Sequence, residues 1–427
     1  MPPHLPRSAL AAGLILVSGL ATTPRAAAGQ LADAFADAAG GDLPLSVAGD
    51  STTGFPANPA GLSDGSGWEF LFTPVRIGVA LGPITGRDIA RVGGDVLSRE
   101  TRETWLTQVG TGTQRGRVTA GLGPIALRRG PVEIRASTTV VGSVRLPADA
   151  VELLLFGNAG RDGSPGDFRL TDSALDGAIF SNVGVAWGGR PASDVVPELT
   201  VGGRIHATIG HGLVVTRDAG SLIDGDQATA DLKLPTISAS GNGVAPGFGV
   251  GMDLGLAWRG VGSTTGVTLF NAVRTFTWAS SDLRYRAGET LIEGAGVETD
   301  FEARPVSEAP PTLRALARRL RPTRRVEIEH VRAVGERLHL RLVFREPLER
   351  GLSPGASDAR LIGAEWDLTS VVDIAGHVGV VDGRPRLGSG LRAGFGAWSV
   401  AAAWLVDRGD DRDGSSVSLS LRHGLVP

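Results

Sequence analysis

The sequence predicts an all-β protein, a single transmembrane antiparallel β-barrel of about fourteen strands with short helical plug or cap segments. Three observations predict it. From Trp68 onward, segments of about 8–12 residues alternate apolar with polar side chains, as membrane strands do. Clusters of Gly, Asp, Ser and Pro separate those segments. Beyond the N-terminus, no stretch holds the about 20 uninterrupted apolar residues of a membrane helix.

The first 28 residues read as a cleaved secretory signal. Arg7 supplies a basic start, Ser8 to Leu20 an apolar run with Leu14-Ile15-Leu16-Val17 inside it, and Ala26-Ala27-Ala28 a small-residue cleavage site. Residues 29–66 are expected as an N-terminal periplasmic or plug segment, and 67–427 as the barrel. Export in this form places the chain in the cell outer membrane.

The strand segments are two-faced, because successive side chains of a strand point to opposite sides. Leu199, Val201, Ile205 and Ile209 share one face, opposite Thr200, Arg204, His206 and Thr208. Met252, Leu254, Leu256 and Trp258 oppose Asp253 and Arg259. Leu338, Leu340, Leu342 and Phe344 oppose His339, Arg341 and Arg345, and Val417, Leu419 and Leu421 alternate with serines. A barrel turns the apolar face to lipid and the polar face to its lumen, whereas a soluble secreted β-sandwich buries the apolar face against a second sheet. Periodicity alone fits both. The lumen-facing polar candidates are Glu133, Arg135, Arg204, His206, Asp253, Arg259, Glu327, Glu329, His339, Arg341 and Glu365. Both signs are mixed, which predicts ion pairs that brace a wall rather than a field that selects an ion. Helical spacing interrupts the pattern near 85–109 and 148–157.

Composition excludes several function classes. Net charge is −3, which leaves no nucleic-acid footprint. The chain has no cysteine, which removes thiol catalysis, thiolate metal sites and iron–sulfur clusters. Aromatics make up only 5% of the chain, fewer than the girdles of membrane barrels favour.

The remaining motifs are weak. Gly49-Asp50-Ser51 echoes a hydrolase nucleophile block but lacks a preceding apolar strand and a late Asp-x-x-His, so it reads as an exposed turn and the chain as no enzyme. Gly247, Gly249 and Gly251 continue into an alternating strand instead of opening a helix, which argues against a phosphate loop. Asp407 to Asp413 lacks the later glutamate of a calcium loop, and the histidines are scattered, so no metal or other cofactor is expected. Arg314, Arg318, Arg319, Arg321, Arg324 and Arg325 form a basic run, either a solvated turn or a contact for anionic lipid headgroups or phosphates.

The residues also resemble a family. Asn58, Pro59, Ala60 and Gly61, within Gly54 to Leu62, resemble an Asn-Pro-Ala-Gly element near the mature N-terminus of an uncharacterised outer-membrane β-barrel family. That family is related to the long-chain fatty-acid transporter superfamily and to the type IX secretion barrel. Leu146 to Asn158, Val183 to Trp187, Gly247 to Arg259 and Leu361 to Trp366 resemble further segments of it, in the same order. The chain departs from the pattern in its final Gly424-Leu425-Val426-Pro427, where such barrels often carry an aromatic, and in the arginine run. The resemblance implies either passage of a hydrophobic small molecule across the outer membrane or a non-transporting scaffold or adaptor in protein export or surface attachment. Its partners would be outer-membrane lipid, the barrel assembly machinery, and a hydrophobic small molecule or an exported protein.

Overall fold

In a computed structural model, the described residues are 57–425 apart from 65–66, 192–193, 226–228, 240–245, 295, 350–356, 370, 396 and 408–412. The expected signal segment, Gly49-Asp50-Ser51, the Gly54-Phe55-Pro56 start of the N-terminal element and most of the Asp407–Asp413 loop lie outside them.

Fourteen long strands form one ring. They are β1 (Trp68–Gly82), β2 (Thr113–Arg129), β3 (Val132–Pro147), β4 (Ala174–Gly189), β5 (Leu199–Arg217), β6 (Gly247–Gly260) and β7 (Ser263–Arg274). There follow β8 (Arg325–Val334), β9 (Leu338–Pro347), β10 (Ala359–Asp367), β11 (Val372–Val381), β12 (Arg384–Phe395), β13 (Trp398–Asp407) and β14 (Asp413–Leu425). Each pairs antiparallel with the next. The last returns to the first, from Trp68↔Leu425 to Leu81↔Asp413. Closure satisfies backbone groups that an open sheet would leave at its edges, a requirement in lipid. The fold is therefore a single antiparallel β-barrel, and the competing two-sheet sandwich does not form.

The alternation read from the sequence divides outside from inside. Ile134, Val183, Val185, Ile205, Leu254, Leu256, Leu340, Leu342 and Ile362 are exposed, while their strand neighbours Ala186, Arg204, Asp253 and Ala257 are buried. An apolar exterior over a polar interior suits a lipid surround.

The scarce aromatics are concentrated. Trp68, Trp187, Trp258, Trp366 and Trp398 are 40–52% exposed. Each sits at the strand end next to a short turn or the chain ends, pairing Trp68↔Arg129, Val132↔Trp187, Trp258↔Thr265, Leu338↔Trp366 and Phe395↔Trp398. Trp rings favour a membrane–water boundary, so these five form a one-sided girdle. Low aromatic content thus counted against a barrel only because composition carries no positions.

The two rims differ. One carries the brief connections 130–131, 261–262 and 335–337; the other carries 83–112, 148–173, 218–246 and 275–324. On the long-loop rim lie α1 (Gly86–Val92), α2 (Arg99–Val109), α3 (Ala148–Phe156) and α4 (Pro311–Arg319), together with a small five-stranded sheet. Thr85 and Asp88 close a reciprocal capping box on α1, and Ser98 caps α2. Leu106 and Val109 of α2 pack on Val151 of α3 and on Ile84. The first three arginines of the run, Arg314, Arg318 and Arg319, lie in α4, whose Leu313 and Ala317 pack against Leu213 and Val215 of β5.

The β1–β2 ladder is interrupted at one level. β1 pairs with β2 up to Phe72↔Ile125 and resumes in the same register at Arg76↔Gly121, leaving residues 73–75 and 122–124 without partners across that ladder, while the β2–β3 and β1–β14 ladders each shift register at this level. Pro74 and Pro124 have no N–H to donate there. Gly123, at φ +93°, takes the bulge conformation that side chains rarely adopt.

Candidate lumen site

The N-terminal element sits inside the ring, in a short 3-10 turn at Pro59–Asp64. Ala60 and Leu62 are fully buried. Asn58 organises the segment: its Oδ1 accepts from the Ala60 N–H at 2.9 Å, and its Nδ2 donates to the carbonyls of Leu256 at 2.9 Å and Val267 at 3.4 Å. The wall admits this approach because Gly202 and Gly255 face it. A Cβ on Gly202 would meet the Pro59–Ala60 backbone, and one on Gly255 would meet Asn58 and Pro59.

A buried polar network underlies the segment. Arg204 on β5 reaches Glu133 of β3 and Asp253 of β6, each at 3.4 Å, and donates to the Ala57 carbonyl at 3.4 Å. Arg135 lies 2.9 Å from Glu133. Asp253 accepts from the Asn271 backbone N–H at 2.8 Å, and the Asn271 side chain meets His206 at 3.1 Å. On the same side Arg128 donates to the Leu62 carbonyl at 3.2 Å. Five sequence-predicted residues, Glu133, Arg135, Arg204, His206 and Asp253, thus meet in one network. Arg259 stands apart at the short-turn end of β6, half-buried.

The other candidates line the opposite half of the lumen. Arg345 pairs with Glu327 at 2.7 Å, and Arg341 pairs with Glu329. His339 stands 3.8 Å from Asp367, and Arg392 pairs with Asp373. Carboxylate oxygens of Glu365, Asp367 and Asp373 lie within 4.8 Å of one another, close enough to share a hard cation. The Arg392 guanidinium paired with Asp373 already supplies positive charge there. Alternating signs across neighbouring strands make this half an ion-paired brace.

Above the N-terminal segment lies an aromatic cluster. Residues 275–278 leave the top of β7 and turn back across β6, where Thr275 and Val250 exchange hydrogen bonds. Phe276 and Trp278 then pack inside the wall against Phe180 of β4, with ring centroids 5.2–5.8 Å apart. Phe180 and Phe276 are almost fully buried, and Val141 and Ala178 extend the apolar surface. A Cβ on Gly249 would overlap the Phe276 backbone. Trp278 donates from its indole N–H to the Leu320 carbonyl at 2.6 Å, which ties the cluster to the end of α4.

Sequence reasoning missed Asn271 and this cluster. Asn271 takes a positive φ of 53° in mid-strand, a conformation Asn tolerates better than most residues, but nothing in the local pattern marks it. Phe276 and Trp278 follow a strand rather than alternate within one.

Comparison with known proteins places this geometry. No family model matches the chain, and no curated protein matches it. Solved structures do. The Ralstonia pickettii toluene transporter TbuX shares 12% identity over 87% of this chain and 92% of its own, with a TM-score of 0.50. A TodX monoaromatic hydrocarbon channel variant shares 11% over 86% and 92%, with a TM-score of 0.48. A Pseudomonas aeruginosa FadL homologue shares 11% over 86% and 92%, with a TM-score of 0.41. At these identities the likeness is one of fold, and the first of the three carries it.

Proposed function

We propose that this chain is an outer-membrane barrel that passes a small hydrophobic molecule through its lumen. The observation that carries the proposal is the aromatic cluster of Phe180, Phe276 and Trp278, buried on the lumen side above the N-terminal segment. A membrane barrel has no need of an inward aromatic cluster for lipid contact. Trp278, only partly buried, offers an incoming apolar ring an aromatic surface backed by Phe180 and Phe276. The barrel fold shared with a protein described as a toluene transporter supports the same reading. The girdle and apolar exterior support placement in the outer membrane, with the long-loop rim outward.

The route proposed runs from the long-loop mouth to the aromatic cluster and then sideways. The N-terminal segment stands in the axial path beside β4–β7, whereas the β1–β2 ladder is interrupted at Pro74 and Gly123-Pro124. A hydrophobic solute leaving there enters the bilayer rather than water.

Binding tests the proposal directly. Toluene titrated into detergent-extracted protein is expected to quench Trp278 fluorescence saturably, and the quenching is expected to vanish in Trp278→Phe. No saturable change, or the same change in both proteins, contradicts the proposal and leaves a scaffold role in its place.

A further inference from the structure

The long-loop mouth holds a second feature that hydrophobic passage does not use. A cavity of 310 Å³ opens between the upper ends of β2, β3, β4 and β12. Four arginines line it, Arg115, Arg117, Arg145 and Arg384, against two carboxylates, Asp176 and Asp382. Both carboxylates are already engaged. Asp382 pairs with Arg117 at 3.3 Å and accepts from Ser357 at 2.8 Å, and Asp176 pairs with Arg217 at 2.8 Å.

Arg115 and Arg145 are left facing each other. They are direct cross-strand partners in the β2–β3 register, and among the described residues neither has a salt bridge. Like charges placed opposite each other on one face destabilise a sheet. Here the fold keeps that arrangement at the rim of a cavity with surplus positive charge. Two guanidinium forks side by side present several N–H groups to one centre, a donor set that suits a tetrahedral dianion better than a single carboxylate.

We infer that this mouth cavity is a binding site for a phosphate group, with Arg115 and Arg145 as its principal ligands. Its volume accommodates the group with a small organic substituent. The group could arrive as dissolved phosphate or phosphate ester, or on a lipid headgroup. The lining side chains sit on the lumen face of their strands, which favours the dissolved source. The site stands apart from the aromatic cluster, so it and the passage proposal succeed or fail separately.

The test uses purified full-length protein in detergent with inorganic phosphate as the probe. Phosphate is expected to raise the thermal unfolding midpoint beyond sodium chloride of equal ionic strength. Arg115→Gln/Arg145→Gln is expected to weaken binding about tenfold or more, as loss of charge-assisted hydrogen bonds does. Arg87→Gln on α1 serves as the control and is expected to bind like the parent. Heat-modifiable gel migration shows that the double variant is folded. Nanodiscs with and without phosphatidic acid separate the sources: saturation by the lipid without added phosphate assigns the site to headgroups. No phosphate-specific shift in the parent, or an equal shift in the folded double variant, overturns the inference.

Discussion

The Asn58 side chain donates to the Leu256 carbonyl at 2.9 Å across the lumen side of the wall. This bond joins the N-terminal element to β6, at a point where Gly255 leaves room for it. An edge-of-lumen segment is thereby made part of the barrel interior.

Removing that anchor should release the segment. Asn58→Ala deletes two donated bonds and one accepted bond, and loss of such contacts typically costs about 1–3 kcal/mol where groups are left unsatisfied. Gly255→Val fills the space that Asn58 occupies and is expected to act more strongly. Limited proteolysis of the folded barrel should cut near residue 58 faster in both variants, Gly255→Val first. Unchanged cleavage in Gly255→Val would place the segment elsewhere.

Arg204 holds two buried carboxylates. Arg204→Met leaves Glu133 and Asp253 without their shared counter-ion, and breaking one side of a buried pair costs about 3–5 kcal/mol. The thermal midpoint should fall markedly, and Arg204→Met/Glu133→Gln/Asp253→Asn should recover part of the loss. A triple variant no more stable than Arg204→Met would show that the guanidinium acts through packing alone.

The course at Pro74 and Pro124 should behave as a hinge in the wall. Pro74→Val/Pro124→Val restores two N–H donors and is expected to stabilise the barrel modestly while slowing passage of a hydrophobic solute. Faster or equal passage contradicts a sideways route.

Acid should loosen the long-loop rim. Partial burial alone would raise the Glu349 carboxyl, but the hydrogen bond from Arg274 and the charges of Arg274, Arg321 and Arg324 outweigh it and hold it below its usual value. A lowered folded value means the stabilisation is complete above the ordinary glutamate range and is lost as pH falls below that range through the folded value. Hydrogen exchange of the 320–324 segment, where Pro322 accepts from Arg274, should rise in that window. In Glu349→Gln the exchange should already be raised at neutral pH and lose its acid step.

Much of the wall was legible because alternation is local. Asp253 against Leu254, Leu256 and Trp258 needs only a strand to be sorted inside from outside. Bulges break that logic. The β4–β5 register passes from Phe180↔Gly210 to Ile179↔Gly212, so the lumen face of β5 moves from Thr208 to Leu213 and Val215. A two-residue period cannot foresee such a step. The N-terminal element was visible as a motif, but its seat depends on Gly202 and Gly255, on strands far along the chain. Half of the arginine run, Arg314, Arg318 and Arg319, lies in α4, which a reading of charge alone did not foresee, because Leu313 and Ala317 recur at helical spacing and find β5 to cover. Phe276 and Trp278 join Phe180 only through the folded path of a long connection, which no local pattern encodes.

Uptake measures the central claim most directly. Cells expressing the parent chain, Phe276→Ala/Trp278→Ala or an empty vector are given radiolabelled toluene, with equal amounts of folded barrel verified in the outer membrane. The parent is expected to raise the initial uptake rate above the empty vector, and the double variant to lose most of that gain. Parent and empty-vector rates that coincide, with folded barrel present, would contradict passage through this lumen.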